Sequence, residues 1–99
     1  MHATLRRLKC APGKTGDVAK LIEAEYIPQL ANVEGVVSYT LVGFGEDEVI
    51  SLGVFTTEAG ATEANTLAQT WAKDRLAGLG AAPLEAGDGE VLTHSTFPS

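Results

Sequence analysis

The chain has 99 residues, of which 44% are hydrophobic and 20% charged, and a formal net charge of −6. This is the size of one domain with one core, too apolar for extended disorder and too acidic for nucleic acid as the main partner, since phosphate binding needs clustered positive charge. The single cysteine, Cys10, excludes an internal disulfide and a zinc or iron–sulfur ligand set. No signal-peptide pattern occurs, and no apolar run approaches the ~18 residues of a membrane span, so a cytoplasmic protein without a membrane partner is expected.

The charge is unevenly spread. Residues 1–20 hold five bases and one acid, and the other 79 residues hold two bases and twelve acids. This is read as a soluble acidic surface, with the alternative that the two ends attract each other within or between subunits.

His2 to Cys10 reads as a first strand, ended by Ala11-Pro12-Gly13. Thr15 is placed to cap a helix starting near Gly16 or Asp17, and Asp17 suits its positive end. Val18, Leu21, Ile22 and Glu25 share one face of that helix, which runs to about Leu30 with a kink expected at Pro28. Val33-Glu34-Gly35 makes a turn. Val36 to Phe44 reads as a strand rich in β-branched and aromatic residues, and Gly45 to Glu48 as a hairpin tip. Val49 to Thr56 is the third strand, with apolar residues on both faces: Ile50, Leu52 and Val54 on one, Val49 and Phe55 on the other. Thr57 or Glu58 opens a second helix reaching Gly78, with an inward face of alanines and with Trp71 and Leu76 on its flanks. Gly78 to Gly89 reads as a connector over a pocket mouth, and Glu90 to Thr96 as the last strand.

The order is βαββαβ over residues 1–99, a single α+β ferredoxin-like domain. Its antiparallel four-stranded sheet has order 4-1-3-2 and carries both helices on one face. The other face, apolar here, needs a cover, and a second copy of the chain is the simplest one. A homodimer is therefore expected.

Polar residues interrupt the apolar helix stripes. Asn65 and Arg75 flank the inward stripe of the second helix, and Glu25 lies within that of the first. Groups so placed must find partners. Two readings stand. In one they border a ligand pocket: Asn65 holds a carbonyl or hydroxyl, Arg75 an anionic oxygen, and a desolvated Glu25 with a raised pKa moves a proton. In the other, Glu25 and Arg75 form a structural pair. Trp71 is either core or the wall of a site for a flat aromatic molecule. Tyr39 either packs across strands or donates to a substrate. Arg6 and Arg7 point to opposite sheet faces. Whichever is inward needs an anion, an acid of the protein or a substrate, and the sequence leaves open which arginine that is. His2 and His94 are read as surface residues, since two histidines make a weak metal site, and no metal is expected.

Two decoys fall away. Gly13-Lys14-Thr15 sits between a strand and a helix as in a phosphate-binding loop, but Leu8 stands where that motif needs its first glycine. An RNA-binding βαββαβ domain needs exposed strand aromatics and basic charge.

The passages EGVVSYTLV (34–42), VISLGVFTTEAGATEA (49–64) and GEVLTH (89–94), with Trp71 late in the second helix, resemble the antibiotic-biosynthesis-monooxygenase-like group of dimeric α/β-barrel proteins. The resemblance covers nearly the whole chain at the level of pattern. It implies a dimeric α/β barrel and, with Asn65 and Trp71 as the residues that correspond to an asparagine and a tryptophan of its quinone-forming members, makes those two candidate catalytic residues; the reading of the residues themselves adds Glu25 as a candidate catalytic residue and Arg75, Tyr39 and Arg6 as candidate substrate-binding ones. Haem-degrading relatives carry a histidine on the second helix, and this helix has none. Quinone-forming relatives carry an asparagine and a tryptophan one helical turn apart, whereas Asn65 and Trp71 are six residues apart. The function implied is a small cofactor-independent monooxygenase, or a related isomerase or cyclase, acting on a flat phenolic or polyketide-like compound. The competing function is a non-catalytic dimeric module that binds a hydrophobic small molecule or regulates a partner. The third is a packed dimer with a collapsed pocket. Whether a cavity exists between helices and sheet separates them.

Overall fold

The computed structural model describes residues 1–98. Its four-stranded antiparallel sheet has the order β2-β3-β1-β4, with β1 His2–Lys9, β2 Val36–Phe44, β3 Glu48–Phe55 and β4 Ala82–Glu90. The expected topology and the first three strands stand. The helices pack on one face: α1 (Thr15–Leu21), a π-helical stretch (Ile22–Tyr26) and α2 (Ile27–Leu30) after β1, and α3 (Glu58–Arg75) after β3. Thr57 caps α3, its side-chain oxygen accepting from the Gly60 N–H at 3.1 Å. Gly35 turns the chain into β2 at φ +82°, a conformation that favours glycine.

Three local expectations are corrected. Thr15 is the first helical residue, and Lys14 takes the cap position without a side-chain bond. The disturbance expected at Pro28 lies one turn earlier, as the π-helical stretch. Proline has no N–H to give the carbonyl four residues back, so the hydrogen-bond ladder must adjust near Ala24. The buried residues of this arm are Val18, Ile22, Tyr26 and Leu30, every fourth residue. Four residues overshoot an α-helical turn by roughly 40°, and the wider π turns absorb that drift. Tyr26 thereby takes the inward position and Glu25 moves to the flank.

The third correction concerns the last strand. β4 occupies the segment read as a connector, while residues 91–98, including most of GEVLTH, lie outside regular structure. All nine β4 residues are exposed, so apolar patterning carried no signal. Main-chain pairing to β1 holds the strand, from His2 opposite Glu90 to Lys9 opposite Ala82. A bulge between Arg7 and Leu8 fits Pro83 into the ladder, which an edge strand tolerates.

The core lies between helices and sheet, with Phe55, Leu76, Val18 and Val49 as its largest fully buried side chains. The opposite sheet face is open and carries a row of apolar side chains beside charged ones near one end. Leu5 stands across from Leu52 and Val42 across from Ile50. Leu5, Leu52 and Val42 are 39%, 44% and 45% exposed. Among the described residues no helix is long and apolar enough to cross a membrane.

Candidate functional site

A cleft lies between the helix-facing side of the sheet and α3. Alternate residues of β1 point into it, namely Thr4, Arg6 and Leu8, as do Ser51 of β3 and Tyr39 of β2. From above, Asn65, Ala68 and Trp71 of α3 close it at helical spacing, and Tyr26 closes it from the π-helical stretch. Its inner volume is about 30 Å³, room for two or three waters at the ~10–15 Å³ that each needs. The inner space is narrow but not collapsed.

Its polar end is built on Arg6. The Arg6 Nη2 donates to Asn65 Oδ1 at 3.2 Å and to the Asn65 carbonyl oxygen at 3.4 Å. Among the described residues Arg6 has no carboxylate partner, whereas Arg7, on the outer face, pairs with Glu48. The inward arginine is therefore Arg6, and within the chain its partner is an amide oxygen and not an acid. With its oxygen taken by Arg6, the amide nitrogen of Asn65 makes no hydrogen bond among the described residues.

The aromatic wall comes next. Tyr26 lies between Trp71 and Tyr39, with ring centroids 5.5 and 5.7 Å away, and its hydroxyl donates to the Ala64 carbonyl at 3.4 Å. Burial, with Tyr39 adding to it, pushes the Tyr26 phenol up to about 12. Burial also raises Tyr39, against smaller opposing effects of the Ser51 hydroxyl and the Arg6 charge. Both phenols stay protonated at neutral pH, so they act as donors, not bases.

Glu25 and Arg75 lie outside this cavity. Arg75 grips Glu25 with two bonds, Nε to Oε1 at 2.7 Å and Nη2 to Oε2 at 2.9 Å. The Trp71 indole N–H donates to Glu25 Oε1 at 3.3 Å. Of the two readings of Glu25, the structure shows the pair with Arg75, and the raised pKa of the other reading is corrected. The Arg75 hydrogen bonds hold it below its ordinary value, against a smaller opposing effect of desolvation, and Trp71 adds to the lowering. An ionised carboxylate locked to a guanidinium is a poor proton shuttle and a good clamp for the indole. A lowered folded-state pKa gives stability that is complete above the ordinary value of 4.5 and is lost as pH falls through the lower folded value. Glu25→Gln is accordingly expected to flatten the acid side of the melting-temperature profile below pH 4.5. An unchanged acid limb contradicts the clamp.

Of the residues singled out from sequence, the structure brings Arg6, Tyr39, Asn65 and Trp71 to the cavity and leaves Glu25 and Arg75 behind the tryptophan. Tyr26, Ser51 and Thr4 were missed. Ser51 had a usable signal, since it shares a β3 face with Val49 and Phe55. Among the described residues no three histidine, cysteine or acidic side chains gather as a metal site. His2 pairs with Asp88 at 2.7 Å.

No family model and no curated protein matches the sequence. Solved structures do. A protein of unknown function, NE2512 from Nitrosomonas europaea, superposes with a TM-score of 0.76 at 22% identity, covering 99% of this chain and 94% of its own. A monooxygenase from the gene ActVA-Orf6 of Streptomyces coelicolor, in complex with nanaomycin D, gives 0.72 at 14% identity, covering 99% and 92%. SnoaB, a cofactor-independent oxygenase from Streptomyces nogalater, gives 0.68 at 14% identity, covering 99% and 97%. At these identities the likeness establishes the fold.

Proposed function

We propose that the chain is a small cofactor-independent monooxygenase-like enzyme acting on a flat phenolic or polyketide-like molecule, whose reacting end enters the cleft beside Arg6, Asn65, Tyr39 and Trp71. The observation that carries this reading is Arg6: a half-buried cation facing the cleft with no carboxylate partner among the described residues. Two structural neighbours described as a monooxygenase and a cofactor-independent oxygenase support it.

The chemistry follows from the groups present. A cation beside a phenol favours the ionised form, so Arg6 draws the substrate toward its phenolate. The Asn65 amide N–H groups donate to the oxygen on which charge builds. An electron-rich phenolate passes electrons to dioxygen directly. At a ring CH2 that becomes a carbonyl, one oxygen atom stays on carbon and the other leaves as water with the two hydrogens. Atoms and electrons balance with no further reductant. The proton of the phenol leaves to solvent, since among the described residues the cavity lining holds no carboxylate, imidazole or thiol. Glu25 and Arg75 are positioning residues that fix the indole. The rate is expected to rise with pH as the substrate ionises and to hold until Tyr39 or Tyr26, the latter pushed up to about 12, loses its proton. An anthrone-like phenol should take up one dioxygen per molecule with no added cofactor. Uptake no faster than in buffer, unchanged by Asn65→Ala, Trp71→Phe or Arg6→Met, contradicts the reading.

The absence of a base in the described cavity lining also favours a second reading, a ligand-binding module without turnover. It predicts that a phenolic ligand raises the melting temperature while dioxygen and ligand are both recovered.

The assembly that goes with this function is a homodimer built on the open sheet face. Four strands ~4.8 Å apart and eight residues at ~3.3 Å give a flat footprint of about 500 Å². Side-chain relief raises it toward the ~800 Å² per partner of stable complexes. Leu92 and Phe97, 89% and 86% exposed beyond β4, add apolar surface. Sedimentation at micromolar concentration should give twice the 10.3 kDa chain mass. Leu5→Lys with Leu52→Lys should return it to one chain mass. A wild-type monomer contradicts the assembly.

A further inference from the structure

A second cavity adjoins the first. It is an open groove of about 580 Å³ between α3 and the edge strand β4, and it shares Arg6, Leu8 and Ala72 with the inner cavity. Its walls are mostly apolar: Leu8, Ala72, Ala77, Pro83, Leu84 and Ala86. Its charged groups are Arg6, Lys73 and Glu85, and neither cation forms an ion pair among the described residues. Arg6 thus stands at the boundary of two spaces very different in size.

We infer that the ring system of the ligand lies in this outer groove, with an ionised oxygen turned inward onto Arg6, so that the site takes planar aromatic anions. The sizes decide the placement. Small-molecule sites span roughly 300–1,000 Å³, which the groove meets and the inner cavity does not. Only a small group at the leading edge of the ligand passes Arg6 to reach Asn65 and Trp71. The apolar walls match the faces of fused rings. The charges match one anionic oxygen, because a half-buried guanidinium whose partners among the described residues are two neutral oxygens of Asn65 leaves its remaining donors for a carboxylate or phenolate. β4 makes the site possible by running along the mouth as an edge strand, so its side chains floor the groove without closing it.

The inference rests on the cleft being the binding site and is independent of any oxidation. The test uses the full chain and a ligand that cannot be oxidised at this site. Titration calorimetry should show 2-naphthoate binding at least about tenfold more tightly than the uncharged 2-naphthamide, the ratio that one charge-assisted hydrogen bond supports. Arg6→Met should bring the two ligands level, and Arg6→Lys should keep part of the preference. Ala86→Phe, which fills the groove from an exposed β4 position, should weaken naphthoate about tenfold, one lost ring contact's worth. Equal binding of acid and amide by the wild-type chain overturns the inference, as does a preference that survives Arg6→Met or an affinity indifferent to Ala86→Phe. The wild-type comparison stands even if a variant does not fold. Naphthoate binding with no oxygen uptake on phenols keeps this inference and removes the oxygenase reading. The converse result keeps the oxygenase and removes the anion site.

Discussion

Asn65→Asp is expected to lower oxygen uptake on an anthrone-like phenol further than Asn65→Ala does, while leaving the fold intact. The physical reason is charge. Asn65 Oδ1 accepts from Arg6 at 3.2 Å. A carboxylate at that oxygen neutralises the cation, removes its pull on the substrate's hydroxyl and takes away the amide donors. Alanine removes the donors and leaves the cation. Loss of one donor aimed at developing charge costs about 10²–10³-fold in rate, which sets the expectation for Asn65→Ala. Asn65→Asp adds the loss of the positive charge and should fall below it. Melting temperatures should move the other way, with Asp at or above wild type because it gains an ion pair. If Asp retains more activity than Ala, the Arg6 charge is not what the site uses.

Trp71→Ala is expected to destabilise the chain by about 3–5 kcal/mol, the usual cost of removing a large buried aromatic. Trp71 is 7% exposed and packs on Tyr26 at 5.5 Å. Its N–H is also bound to the Glu25 that Arg75 holds. A domain of this size has only about 5–15 kcal/mol in all, so the variant should stand near the edge of folding. Trp71→Phe keeps most of the buried area and loses the indole hydrogen bond, so it should cost less. Urea unfolding of the three proteins measures both. A Trp71→Ala midpoint close to wild type contradicts the picture of Trp71 as both core and wall.

Much of this was legible in the sequence where apolar patterning is strong. β2 is rich in β-branched and aromatic residues, β3 is apolar on both faces, turn residues flank both, and their bounds follow within a residue. The period of two in β3 also separated Val49 and Phe55 from Leu52, and the structure turns the first pair to the core and Leu52 to the open face. β4 was illegible because nothing on it is buried. Its position follows from the main-chain edge that β1 offers, which leaves no trace in side-chain type. The site divides the same way. Asn65 and Trp71 sit on a regular helix, where stripe counting works. Glu25 was placed inward by the same counting, and the π-helical stretch shifts the register by one residue, which put Tyr26 in its place. Of Arg6 and Arg7, only the pairing of β1 with β3 decides which side faces the helices.

The most direct measurement is the product formed from an anthrone-like phenol under ¹⁸O₂ with the purified chain and nothing else added. The expected product is a quinone that carries a single labelled oxygen in its new carbonyl, formed faster than in buffer and slowed by Asn65→Asp. Unlabelled product, or labelled product formed no faster than in buffer, contradicts the oxygenase reading.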